Sequence, residues 1–150
     1  MSTSLSTLPI LQRVLPILGA TPFVAAATLL SMGTTEMPWG GTVVAMVTTY
    51  GVVIASFMAG VHWGQHLSLD KSTRSILALL SNAAALLVWA VFLSASEQAI
   101  IITLALVFIA LLVIDLWLSG KGVISMPYLQ IRAVVTAVVV ASLAIVGFQL

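Results

Sequence analysis

The stretch Gln98–Leu118 reads QAIIITLALVFIALLVIDLWL, and its single charged residue, Asp115, comes close to its end. At about 1.5 Å of rise per residue, a helix of this length covers the roughly 30 Å of a bilayer's hydrocarbon core. Four further apolar runs of similar length surround it, at 14–32, 42–63, 75–95 and 131–148, and none carries a charge near its centre. Barrel strands would show short alternating segments instead of continuous apolar runs, so the many Val and Ile residues do not argue for β-structure.

Composition agrees. Of the 150 residues 61% are hydrophobic and 6% charged, too few charges to give a domain this size a water-facing surface, so its apolar side chains must face lipid. The length allows one domain, 1–150. A net charge of +1, scattered along the chain, excludes nucleic acid as a partner and leaves the lipid bilayer, a second copy or another membrane protein. The absence of cysteine removes disulfides, thiolate metal sites and catalytic thiols together. Ala25-Ala26-Ala27 resembles a signal-peptide cleavage site after Arg13, but Pro16 and Pro22 interrupt the apolar stretch and it continues through Leu30, which argues against cleavage.

The connections are short. Gly33 to Gly41 holds Glu36, Pro38 and paired glycines; Gly64 to Arg74 is the most polar; Ser96-Glu97 is a tight helix–helix turn; Ser119 to Gln130 contains Gly120, Lys121, Gly122 and Pro127. With five spans, Arg13, Lys71, Arg74, Lys121 and Arg132 all fall on one side, and the opposite loops hold Glu36 and Glu97. The positive-inside rule then places the N-terminus in the cytoplasm and the C-terminus outside. The expected fold is an all-α, polytopic membrane bundle of about five transmembrane helices, in a bacterial cytoplasmic (inner) membrane. Pro22 cannot donate its backbone hydrogen bond, so a kink is expected near 18–21.

Few residues offer chemistry. In span two, Gly51/Ala55/Ala59 and Ser56/Gly60/Gly64 form two small-residue stripes at four-residue spacing, the pattern that lets membrane helices approach closely. Packing is the plain reading, and a lined groove the alternative. His62, His66 and Asp70 recur at the same spacing, a candidate metal or proton-relay stripe. Against it, Gly64 is expected to end the helix, Asp70 is placed to cap span three, and two histidines seldom hold a metal alone. Trp63 reads as an interfacial anchor. Asp115 and Arg132 lie near the inner ends of spans four and five and are expected to pair, because an unpaired carboxylate at that depth is costly; proton handling by Asp115 is the alternative. Asn82 and Ser56 fall at equal depths on spans three and two, so a hydrogen bond between them is expected. No nucleophile–base pair, phosphate loop or HExxH motif is present. The sequence leads to no catalytic residue, cofactor or metal, and to a protein that is not an enzyme.

Gly19-Ala-Thr-Pro22-Phe23, then Tyr50, Gly51, Ile54, Ser56, Phe57, Gly60, Trp63 and Gly64, then Tyr128 and Arg132 resemble the pattern of the membrane family called domain of unknown function 3429, which takes in the eukaryotic transmembrane protein 69. Ala59 departs from it where the family often has glycine, which bears on how closely a helix can approach there. The resemblance implies a membrane location and no activity, cofactor or substrate. The leading functional expectation is helix-mediated interaction or assembly in the membrane. A small transporter or proton-linked permease with Asp115, Arg132, His62 and Asn82 lining a cavity is the alternative, and an interfacial enzyme using His62, His66 and Asp70 the third.

Overall fold

The computed structural model describes residues 10–65 and 69–150, for Gln12 the backbone alone. They form five helices: α1 (Ile10–Ser31), α2 (Val43–Gln65), α3 (Lys71–Ser94), α4 (Glu97–Gly120) and α5 (Met126–Phe148). Each is long and apolar enough to cross a membrane. The five expected runs are all present, but the ends move. α1 begins at Ile10 instead of Val14 and α5 at Met126 instead of Ile131. In α5, Ser125 takes the N-cap position and Pro127 falls in the first turn, where its missing N–H has no helical partner to lose. Glycine does not end α2 at Gly64; the helix continues to Gln65.

Local chemistry sets the turns. α1 ends in a Schellman motif: the Thr34 amide donates to the Leu29 carbonyl at 2.9 Å, and Gly33 adopts φ +80°. The same motif closes α4, with Val123 donating to Leu118 at 3.0 Å and Gly122 at φ +75°. Between α3 and α4 the chain turns on Ala95 and Ser96, and the Ser96 hydroxyl accepts from the Ala99 amide at 3.3 Å. α1 remains helical through Pro16 and Pro22. The Leu18 carbonyl, which Pro22 cannot serve, accepts from the Thr21 hydroxyl at 2.7 Å.

The helices form a closed ring in the order α1, α2, α3, α4, α5, with α2 also crossing to α4. α3 is the most lipid-facing; its buried side chains are Thr73, Leu77, Ser81 and Val88. α2 approaches α4 closely at Gly51, where a Cβ would stand 2.6 Å from Leu104 Cδ1. The Gly51/Ala55/Ala59 stripe is therefore core, and Ala59 is as buried as Ala55. Ser56 is half-buried, and Gly60 and Gly64 face outward with open space beside them. One small-residue stripe is consumed inside the bundle and the other is not.

Candidate functional site

Three helices bring one titratable residue each to the basic end of the bundle. His62 is one turn from the end of α2, Asp115 somewhat over a turn from the end of α4, and Arg132 under two turns into α5. Because α2 and α4 end where α5 begins, all three lie roughly 5–9 Å inside the same end. Asp115 sits between the other two. Its Oδ1 is 2.8 Å from His62 Nε2, and its Oδ2 accepts from Arg132 Nε at 2.9 Å. His62, Asp115 and Arg132 are 0%, 2% and 6% exposed, so the pairing is desolvated.

A carboxylate only accepts, so His62 Nε2 carries the hydrogen and donates to Asp115. The Asp115 and Arg132 charges cancel, and the cluster is neutral with a neutral imidazole. Two polar atoms of the cluster remain unsatisfied: among the described residues, His62 Nδ1 and Arg132 Nη2 have no partner. Arg132 Nη1 donates to the Met58 thioether at 3.5 Å, a weak acceptor. The fixed guanidinium fork thus spends Nε on Asp115 and leaves hydrogens at Nη2 uncommitted.

Arg132 also lines a cavity of about 460 Å³ enclosed by α1, α2, α4 and α5. Its floor is Phe23, Phe108, Thr136 and Val139, all buried, and its rim includes Leu15 at 60% and Phe57 at 65% exposed. The cavity therefore opens sideways, through the outer surface of α1 and α2. Tyr128, one turn before Arg132 on α5, lines it too. Its deep end is fixed by aromatic packing. The Phe23 and Tyr50 rings are 5.3 Å apart, Phe23 and Phe108 meet edge to face at 5.7 Å, and the Tyr50 hydroxyl donates to the Gly19 carbonyl at 3.0 Å.

The Asp115–Arg132 pair forms as the sequence suggests, but His62 joins it instead of a stripe with Asp70. Asp70 caps α3, accepting from the Thr73 amide at 3.1 Å and the Ser72 hydroxyl at 2.8 Å. Hydrogen bonds from Thr73, side chain and backbone, and from Ser72 hold its carboxyl well below the usual carboxylate range. His66 lies outside the described residues. The expected Ser56–Asn82 hydrogen bond is absent: Asn82 is exposed and donates to the Ala78 carbonyl of its own helix at 2.8 Å. Ser81, one position earlier, occupies the buried face. Asn82 therefore has no place in the cavity. Trp63 is about half exposed beside the buried His62, as an anchor near the helix end would be. Sequence reasoning missed Met58 and the cavity-lining role of Gly19, although Gly19, Phe23 and Tyr50 stand in one motif pattern.

Fold and composition together define a multi-pass integral membrane protein, with a charge cluster desolvated within its bundle. The chain belongs to the family described as "Protein of unknown function (DUF3429)", whose pattern it matches over residues 8–148. No curated protein and no solved structure matches it.

Proposed function

We propose that this protein is a small proton-linked carrier of anions in the bacterial inner membrane, working without catalytic chemistry, with its N-terminus and basic end in the cytoplasm. One observation carries the reading: an electrically balanced Asp115, shared between His62 and Arg132, stands beside a cavity with an uncommitted guanidinium nitrogen. A proton added at His62 Nδ1 would leave a net positive charge in a desolvated place, which is costly unless an anion arrives with it. An anion alone would leave a net negative charge at the same cost. The cluster therefore favours taking up the two together, the basis of symport.

The charged groups on the neighbouring elements fit this account. Asp115 and Arg132 contact the cluster from α4 and α5, and Tyr128 stands one turn away. On α3, Lys71 and Arg74 are exposed, and Arg13 of α1 is half-buried. The test uses alkanesulfonates, strong-acid anions that cannot carry a proton across lipid themselves. Gradients of methanesulfonate through octanesulfonate are imposed on proteoliposomes containing a trapped pH dye. At least one member should acidify the lumen, and His62→Gln and Asp115→Asn should abolish the change. Silence across the whole series would overturn the reading.

A second reading, assembly with a copy or another membrane protein, draws on the outward-facing Ser56/Gly60/Gly64 stripe, which can admit another helix closely. Gly60→Leu should then split an oligomer seen in mild detergent, and a monomeric wild-type protein would retire it.

A further inference from the structure

We infer that the cavity is a binding site for an amphipathic anion, a single carboxylate or phosphate head on an apolar tail, whose head pairs with the Arg132 guanidinium where it lines the wall. The inference rests on the carrier reading in that it names the ligand of the same site.

Three observations converge. Arg132 is nine-tenths buried, lines the cavity and, among the described residues, has no partner for its Nη2. A guanidinium left incompletely satisfied in an apolar setting is costly, and a carboxylate or phosphate oxygen supplies the acceptor it lacks. The remaining wall is almost wholly apolar, built from side chains such as Phe23, Ile54, Phe108 and Val139, which offer nothing to a soluble polar ion. The rim at Leu15 and Phe57 faces the lipid side of α1 and α2, so a ligand reaches the site from the acyl-chain region, where tailed molecules concentrate.

Dimensions suit a medium-length tail. The lining runs along α5 from Tyr128 to Val139, roughly 16 Å at about 1.5 Å per residue. The volume of about 460 Å³ lies in the usual range of small-molecule sites, roughly 300–1,000 Å³. The head would sit at the basic end beside Asp115 and His62, and the tail would point toward Phe23 and Phe108. The same chemistry is found in a free fatty acid and in an anionic phospholipid of the bilayer.

The test is scintillation-proximity binding of radiolabelled laurate to the purified full-length protein in neutral detergent. Saturable binding should be displaced by unlabelled laurate and resist dodecanol, which has the tail without the charge. Arg132→Gln should weaken it by about tenfold or more. Gly19→Leu is the second variant: Gly19 lines the cavity, and a Cβ there meets nothing closer than the Tyr50 hydroxyl at 4.0 Å, so the substitution narrows the cavity away from the charged cluster. It too should weaken binding by about tenfold or more. Displacement by dioleoylphosphatidylglycerol at equal potency identifies a bilayer lipid as the source, and its failure to displace identifies a free fatty acid. Equal displacement by dodecanol, or unchanged binding in both variants, would overturn the inference. Laurate binding without proton movement in proteoliposomes retires the carrier and leaves the site, whereas proton movement without charge-selective binding does the reverse.

Discussion

Asp115 holds two partners with its two oxygens, and what it is worth depends on which group is removed. Asp115→Asn leaves the Arg132 charge buried without its counter-ion, and should cost roughly 3 kcal/mol in reversible unfolding. Replacing both partners, Asp115→Leu with Arg132→Met, removes the charges together and should recover most of that loss. A double variant that is stable but inactive would separate the cluster's functional role from its structural one. Asp70 makes a residue-scale prediction of a different kind. Its folded carboxyl titrates below its unfolded value, so its cap contribution is complete above the unfolded value, near pH 4, and is lost as pH falls through the folded one. Carboxyl-carbon NMR should therefore find Asp70 ionised at a pH where an ordinary aspartate is half-protonated, and Asp70→Asn should flatten the acid limb of the stability profile.

At the scale of the element, the glycines of α2 divide by face. Gly51 lies where α2 meets α4, and Gly51→Ala places a methyl against Leu104, itself 1% exposed. Overpacking of this kind costs about 1–3 kcal/mol. Leu104→Ala opens a cavity when made alone, so the double variant should lose distinctly less than the sum of the two, a coupling that a double-mutant cycle reads directly. Gly60→Ala meets open space and should be neutral or slightly stabilising in the monomer, since alanine is the better helix former. Four-residue spacing alone does not distinguish these faces. Both stripes consist of small residues at the same interval, and the rotation of α2 within the ring decides which one is core. The lengthening of α1 and α5 has a similar origin. Hydropathy sees where a run becomes apolar, whereas a helix starts wherever its first-turn amides can be satisfied, and a mixed first turn such as Met126–Gln130, with Pro127, Tyr128 and Gln130 among its residues, escapes a hydropathy reading.

For the whole molecule, the ring order brings the ends of α2 and α4 beside the start of α5, and the alternating path of the chain gathers Arg13, Lys71, Arg74 and Lys121 at that same end. The absence of native cysteine makes sidedness directly measurable. A Lys71→Cys variant should be protected from an impermeant maleimide in intact cells, and Glu97→Cys should be labelled; the reverse pattern would invert the topology.

Membrane spanning, span number and the placement of basic loops were legible in the sequence because each depends on summed apolarity or charge within one segment, a local property. The Asp115–Arg132 pair was legible too, because two opposite charges at matched depths on consecutive helices have little choice but to meet. The recruitment of His62 to that pair, the outward turn of Asn82, and the cavity beneath Arg132 were decided only by tertiary structure. Each of these depends on how far a helix is rotated about its own axis. Nearly uniform apolarity around α2, α4 and α5 leaves that rotation unspecified until side chains from several helices pack together.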